Sequence, residues 1–154
     1  MTAQDKGFYV GTFRHSLDAK NRLTVPAKWR FPGDDAEGSY LALPNPNGSI
    51  TVYPPKMTAA LEEKVANVSM LADKDELAAL INLFATGDRF GCDAQGRIGV
   101  PEALKRYAGL DKEAVLVGTI TTFHIWAPDR IAAITTAPAG KPNFDPAILR
   151  KYGL

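Results

Sequence analysis

The sequence lacks what disulfides and membrane helices require. Its one cysteine, Cys92, cannot form a disulfide within the chain and has no neighbouring cysteine with which to share a metal, which is typical of a reducing compartment. No apolar run approaches the roughly 20 residues of a membrane helix, and residues 1–7 lack the apolar centre of a signal peptide. We therefore expect a soluble cytoplasmic protein with no membrane partner.

Motifs for catalysis are also missing. His15 and His124 occupy unrelated positions, each in an alternating strand pattern, where a histidine is far more often structural than catalytic. Gly33, Gly38 and Gly48 are isolated turn glycines and form no phosphate-binding loop. The acidic clusters lie on helices with apolar opposite faces, which is typical of solvated faces rather than of a metal cage. We therefore expect no enzyme, and no metal, cofactor or small-molecule substrate.

The charges are sorted along the chain rather than mixed. The net charge of +1 does not by itself indicate a nucleic-acid partner. Residues 1–30, however, carry six basic and two acidic side chains, whereas residues 31–85 carry three basic and eight acidic ones. This sorting permits a basic face, although chance clustering explains a segment this short equally well.

An internal repeat is the strongest pattern in the sequence. Shifted by 75 residues, Asp18–Pro26 aligns with Asp93–Pro101 at five identities in nine positions. The alignment extends without a gap to two further pairs of cations, Arg14 with Arg89 and Arg30 with Lys105. Such self-similarity indicates two copies of one supersecondary unit.

Each copy predicts a β-hairpin. In the first copy an alternation of apolar and polar residues ends at Leu17. Residues 18–21 are typical of a turn, and residues 22–25 are rich in strand formers. Asn21 and its equivalent Gly96 are the residue types that most readily accept a positive φ. We therefore expect the same turn in both copies.

The other elements follow from turn residues and periodicity. A leading proline suits two short helices, over 27–31 and 102–107, and a longer helix begins at Pro54-Pro55. Asp73 predicts the N-cap of another helix, whose apolar face we expect to be buried. That face consists of Leu77, Leu80, Ile81 and Phe84. The remaining predictions are four strands, at 40–43, 49–53, 114–118 and 122–126, and a late helical turn at 146–152.

The two copies are too small to fold separately. With about four short strands each, neither can bury both faces of a sheet, so we expect them to pack about a pseudo-twofold axis around one shared core. The predicted fold class is α+β. The predicted division is a leader at 1–7, a first half with connecting helices at 8–85, a second half at 86–134 and a tail at 135–154.

Repeated arginines favour a nucleic-acid partner. The guanidinium keeps its charge and offers five donors in a planar fork, which suits phosphate oxygens and the edge of guanine. Antiparallel pairing within the first hairpin would bring Arg14 near Arg22, and Lys20 adds a charge where the second copy has Gln95. The aspartate and arginine of each copy are also typical of an ion pair that stabilises a tight turn, a role compatible with binding.

Several motifs together resemble a known family. Residues 11–30 read GTFRHSLDAKNRLTVPAKWR, Asp-x-x-x-Arg recurs at 93–97, and Leu116-Val-Gly and Ile125-Trp126 follow. Over residues 8–134 this pattern resembles the MraZ family of bacterial transcriptional regulators. The resemblance implies a pseudo-twofold double AbrB-like swapped-hairpin β-barrel with short helices. It also implies a DNA-facing motif with close neighbours, namely Asp18, Arg22, Asp93 and Arg97 beside Arg14, Lys20, Arg89 and Gln95.

The same resemblance implies partners and a role. MraZ-like proteins form ring-shaped homo-oligomers at the nucleoid and bind repeated double-stranded DNA sites in the promoter of their own division and cell-wall gene cluster. The expected function is therefore sequence-specific regulation of transcription, as a repressor. The alternative is an antitoxin-like or scaffolding module that uses the same fold to bind a protein.

Overall fold

The predicted leader at 1–7 lies outside the residues that the computed structural model describes, which are 8–31, 40–68, 73–136, 140 and 144–154. Within these ranges the chain forms eight β-strands and five α-helices, and every pair of neighbouring strands is antiparallel. The α+β class predicted from the sequence is confirmed.

The strands and helices are short. The strands are β1 Thr12–Ser16, β2 Arg22–Thr24, β3 Tyr40–Pro44, β4 Ile50–Tyr53, β5 Asp88–Phe90, β6 Arg97–Gly99, β7 Glu113–Gly118 and β8 Phe123–Trp126. The helices are α1 Pro55–Val68, α2 Lys74–Thr86, α3 Glu102–Tyr107, α4 Pro128–Thr135 and α5 Pro146–Lys151, with a 3-10 turn at Ala27–Trp29. Proline opens α1, α4 and α5, where its fixed φ and missing N–H are tolerated.

The two repeats exchange their outer strands. The main sheet has the order β1-β7-β8-β4-β3-β5, and β2 pairs with β6 in a separate ribbon. Strands β1 to β4 belong to the first repeat and β5 to β8 to the second, so each edge strand pairs with the other repeat. Reading the order from the opposite end replaces every strand by its repeat equivalent, which is the pseudo-twofold relation expected from the sequence.

The predicted hairpin within each repeat is wrong in its strand pairing. The turns form, but β1 pairs with β7 and β2 pairs with β6 instead of with each other. Likewise, β5 pairs with β3 rather than with β6. Strand β7 offers β1 five paired residues, whereas β2 is only three residues long. The longer ladder satisfies more backbone donors and acceptors, and a local turn signal cannot tell which strand supplies it.

One core serves both repeats. Its fully buried side chains include Leu23 and Trp29 from the first repeat and Ile98, Leu104 and Phe123 from the second. These residues belong to a single cluster with the buried residues of the main sheet and of the β2–β6 ribbon. The ribbon and the sheet therefore depend on each other, because each has an apolar face that the other helps to cover.

Helix α2 forms as predicted, but its apolar face is not buried. The Asp73 side chain accepts a hydrogen bond from the Glu76 N–H at 2.8 Å, as an N-cap residue should. Leu77 and Ile81 nevertheless remain 43% and 57% exposed, and no residue of α2 is buried. The prediction that this face is buried is therefore wrong for the single chain.

The remaining helices differ from the predictions in small ways. The short helix predicted over 27–31 is only a 3-10 turn, and the sequence patterns did not predict α4. The helix over 102–107 has the predicted bounds, and the late turn forms α5. Among the described residues, the helices are too short or too polar to span a membrane.

Candidate nucleic-acid interface

The two Asp-x-x-x-Arg segments, turn 1 (Asp18–Arg22) and turn 2 (Asp93–Arg97), adopt the same backbone. In each, the aspartate N–H donates to the arginine carbonyl oxygen, at 3.0 Å in turn 1 and 2.8 Å in turn 2. The fourth residue has a positive φ, 58° at Asn21 and 76° at Gly96. Asparagine and glycine adopt this conformation at low cost. The prediction of one common turn geometry is confirmed.

The aspartate side chain holds each turn closed. Its Oδ1 accepts from the N–H groups of the second and fourth residues after it, at 2.9 and 2.8 Å in turn 1 and at 2.9 and 2.9 Å in turn 2. Its Oδ2 accepts from the arginine Nε, at 2.6 Å for Arg22 and 2.9 Å for Arg97. The ion pairs therefore stabilise the turns, and this bond uses only one nitrogen of each guanidinium.

These hydrogen bonds favour the ionised form of both aspartates. The backbone N–H of Arg22 is the main cause that lowers the pKa of Asp18 below its ordinary value of 3.8, and partial desolvation opposes it. The backbone N–H of Arg97 likewise lowers the pKa of Asp93. A carboxylate that accepts several N–H bonds holds its charge to lower pH than one in water. Both turns therefore keep their ion pairs throughout the neutral and mildly acidic range.

The free energy of unfolding should fall as the pH drops below about 4, because protonation of Asp18 and Asp93 favours the unfolded chain. Both carboxyls have a lower pKa in the folded chain, so their stabilisation is complete above the ordinary value of 3.8 and is lost as the pH falls through the folded values. Urea unfolding of the wild type and of Asp18→Asn/Asp93→Asn across this range measures the effect. The double variant should lose less stability, and an equal loss would contradict the assignment.

Turns 1 and 2 lie side by side across the β2–β6 ribbon. A valine N–H after each strand donates to a carbonyl oxygen of the other turn, at 2.8 Å for Val25 and 2.9 Å for Val100. The Nη1 of Arg97 in turn 2 lies 3.7 Å from the Oδ2 of Asp18 in turn 1. The two repeated turns therefore lie together and form one surface.

Two further cations reach this surface, and neither was among the predicted site residues. Arg30 lies over turn 2, where a Cβ on Gly96 would come within 2.5 Å of the guanidinium carbon. Lys105 donates from Nζ to the side-chain oxygen of Asn21 in turn 1 at 2.9 Å. Each cation therefore contacts the turn of the other repeat. The 75-residue offset aligns Arg30 with Lys105, and that equivalence was the signal that could have identified them.

Arg14 and Arg89 lie far from each other in the sheet order. They belong to β1 and β5, the opposite edges of the main sheet. Arg14 donates from Nε to Oε2 of Glu113 at 3.0 Å, and Arg89 lines a groove beside α1 and α2. The hairpin pairing that was expected to bring Arg14 near Arg22 does not form, because β1 and β2 belong to different sheets.

The joined turns differ in charge as expected. Lys20 in turn 1 and Gln95 in turn 2 occupy equivalent positions, and both are exposed. The surface, named here the double turn, contains turns 1 and 2 with Arg30 and Lys105. Its five cations outnumber Asp18, Asp93 and the neighbouring Glu102, whose Oε2 accepts from Asn21 Nδ2 at 3.1 Å. The surface therefore has an excess of positive charge, and its guanidinium groups can donate in pairs to an anion.

Other side chains singled out in the sequence take structural positions. Within the ranges that the structure describes, no group of histidine, cysteine and carboxylate side chains could hold a metal ion. His124 is half-buried, with Nδ1 3.4 Å from Oγ1 of Thr51 and 3.5 Å from Oγ of Ser49, and burial lowers its pKa. Cys92 is buried beside turn 2. Packing accounts for these positions.

Comparison with known proteins agrees with the repeated motif. The family model described as "MraZ protein, putative antitoxin-like" matches residues 83–147. A Corynebacterium glutamicum (strain R) protein named transcriptional regulator MraZ is 38% identical over 125 residues, which are 81% of this chain and 85% of that protein. Proteins of the same name from Ligilactobacillus salivarius and Rhodococcus jostii are 34% and 36% identical, over 89% and 90% of this chain and 92% and 93% of their own lengths. The chain belongs to the MraZ family.

Proposed function

We propose that this protein is a sequence-specific DNA-binding regulator of transcription that represses its own division and cell-wall gene cluster. Its relatives carry the name transcriptional regulator. The observation that carries the proposal is the double turn, in which Arg22, Arg97, Arg30 and Lys105 belong to one network of contacts. Such a concentration of donors and positive charge suits the phosphates of double-stranded DNA.

The aspartates prepare the arginines for binding rather than compete with it. A guanidinium already held at Nε loses less rotamer freedom when it meets DNA. Its Nη groups then donate to a phosphate or to O6 and N7 of guanine. In this proposal Arg22 and Arg97 make the central contacts with DNA, and Asp18 and Asp93 hold them in the orientation for it. Lys20 and Gln95 contact DNA beside them, and Arg14 contacts it further out, whereas Arg89 lines the groove beside α1 and α2.

The strand exchange supports an AbrB-like swapped-hairpin β-barrel, with one half at 8–85 and the other at 86–134. Each turn segment connects a strand of the main sheet to a strand of the ribbon. Both of these strands pair with the other repeat. Mutual exchange of equivalent segments is the defining feature of such a fold, and it places the two turns together.

Assembly into a ring would make weak contacts strong. Each chain offers one double turn, so a ring-shaped homo-oligomer displays several at fixed spacing. Once one double turn binds, the others act at a high effective concentration on neighbouring promoter repeats. Repression follows because a ring bound across the promoter at the nucleoid excludes RNA polymerase.

Alanine at both Arg22 and Arg97 should weaken binding to the protein's upstream DNA by about tenfold or more, because each change removes a fork of donors. A gel shift at two salt concentrations measures the affinity, and the salt dependence should become shallower as phosphate contacts are lost. Lys56→Ala/Lys74→Ala removes the same charge at the starts of α1 and α2 and should bind like the wild type. Unchanged binding by the arginine variant would contradict the site.

The wording "antitoxin-like" in the family description favours a second candidate, a module that binds a protein partner. The gel shift separates the two. If the second candidate holds, the wild-type protein shows no preference for its upstream DNA over unrelated DNA of equal length.

A further inference from the structure

A groove beside the first repeat lies between α1 and α2 and has a volume of about 550 Å³. Its apolar lining comes from Leu41 on β3, Leu61 and Val65 on α1, and Phe84 on α2. None of the three helical side chains is fully buried. We name this surface the α1–α2 groove.

The apolar surface continues from the groove onto α2. Leu77 and Ile81 lie one helical turn apart and are largely exposed. Leu80 and Phe84 follow the same amphipathic pattern and are only partly covered. A helix with this pattern normally buries its apolar side, so the groove and α2 together have the character of an unfilled docking surface.

The C-terminal segment, Phe144–Leu154, has the complementary character. It contains α5, whose N-cap Asp145 accepts a hydrogen bond from the Ala147 N–H at 2.9 Å. A helix of six residues is too short to be stable in water without packing. Its apolar side chains are nevertheless exposed, by 57% at Phe144, 56% at Ile148, 69% at Tyr152 and 83% at Leu154.

The two surfaces also differ in charge. Glu62 and Arg89 both line the α1–α2 groove, Glu63 follows Glu62, and the first turn of α2 carries Asp75 and Glu76 beside Lys74. The last turn of α5 carries Arg150 and Lys151, both exposed. The basic end of α5 can therefore pair with Glu62 and Glu63 at the edge of a mainly apolar groove, whose lining also contains the cation Arg89.

The attachment points favour docking between copies. The C-terminal segment follows α4, which packs on β7, whereas the groove lies beside β3. Strands β7 and β3 stand second from opposite edges of the main sheet. We propose that the C-terminal segment of one copy docks into the α1–α2 groove of a second copy. This inference rests on the ring in the proposed function and supplies its contact. The contact is head-to-tail, and a head-to-tail contact repeated by rotation closes a ring.

Charge placed on either surface should dissolve the assembly. Ile148→Glu/Tyr152→Glu alters exposed positions of the C-terminal segment, and Leu61→Glu alters the groove. Each variant should have the mass of a single chain by size-exclusion chromatography with light scattering, whereas the wild type forms a larger species. Phe8→Glu, at another exposed apolar residue, should keep the wild-type mass. Circular dichroism checks that each variant is folded.

Mixing the two defective proteins identifies the occupant. The Leu61→Glu chain has an intact segment and the Ile148→Glu/Tyr152→Glu chain has an intact groove, so one contact can form between them. The mixture should give one-to-one dimers and nothing larger. If the segment docks on its own chain, the mixture stays at the mass of single chains and the proposal fails.

The DNA-binding proposal can fail or stand independently. Variants that keep the wild-type mass would overturn the docking contact and leave the ring intact, whereas a wild type with the mass of one chain would overturn both. In either case the binding of a single DNA site by the double turn is unaffected. The dissociated variants should bind one site like the wild type and lose tenfold or more of their affinity for an array of sites.

Discussion

Replacing Trp29 with alanine should lower the free energy of unfolding by about 3–5 kcal/mol. Trp29 is 1% exposed, and its rings lie 5.6 Å from Tyr9, 5.1 Å from Phe13 and 5.2 Å from Phe123 between ring centres. Its indole N–H donates to the carbonyl oxygen of Val10 at 3.2 Å. The substitution opens a cavity where the two repeats meet, and the surrounding rings cannot collapse to fill it.

Urea unfolding at one fixed protein concentration measures this loss, since an oligomer's apparent stability depends on concentration. Trp126 remains in the variant and reports unfolding by its fluorescence. Phe8→Ala removes an aromatic ring that is 60% exposed and lies outside the proposed contact between copies, so it should leave the free energy of unfolding nearly unchanged. A loss below about 1 kcal/mol for Trp29→Ala would mean that the two repeats do not share a core.

The turns could be predicted because their causes are local. The Asp18 carboxylate reaches N–H groups two and four residues away, and Asn21 supplies the positive φ between them. The same holds for the capping of α2 by Asp73, whose partner lies three residues on. In each case the donor, the acceptor and the backbone geometry lie within one short window of sequence.

The strand partners could not be predicted in this way. A tight turn at Asp18–Arg22 is compatible with pairing of β1 and β2 and equally with exchange into the other repeat. The choice depends on the ladder with β7, about a hundred residues further along, which is the kind of contact that local patterns do not encode. The repeat did restrict the possibilities, because equivalent copies that exchange strands must each give a strand to the other.

The apolar pattern of α2 predicted a covered face but not what covers it. The periodicity at Leu77 and Ile81 indicates an apolar helix face, whereas its burial depends on the partner that covers it. Sequence reasoning assumed a partner within the chain. The exposure of this face in the single chain is the observation that directs attention to a second copy.

The sequence predicted only part of the candidate site. Repetition identified Arg22 and Arg97, and the structure joins their turns. Arg30 and Lys105 were not predicted as site residues, because each contacts the turn of the opposite repeat and this contact depends on the strand exchange. The repeat also aligned Arg14 with Arg89. These two residues nevertheless lie on β1 and β5, the opposite edges of the main sheet, so equivalence in the repeat did not mean that they are neighbours.

Alanine at both Asp18 and Asp93 should weaken binding to the upstream DNA by about tenfold, a loss of about 1.4 kcal/mol, even though it makes the protein more basic. The net charge of +1 rises by two units, which on electrostatic grounds alone would strengthen binding. Against this, each turn loses the acceptor of two backbone N–H groups and of the arginine Nε. The arginines are then mobile, and ordering them on DNA costs free energy that the wild type does not expend.

Asp111→Ala/Asp129→Ala provides the matched control, because it raises the charge equally at exposed positions away from the double turn. Gel shifts on upstream and unrelated DNA should show slightly tighter binding of both DNAs by the control. The turn variant should instead lose its preference for the upstream sequence while keeping its affinity for unrelated DNA. If both double variants bind tighter to both DNAs, positive charge alone determines affinity, and the aspartates do not position the arginines. Preference lost despite added charge would mean that the geometry of the turns, rather than their charge, reads the sequence.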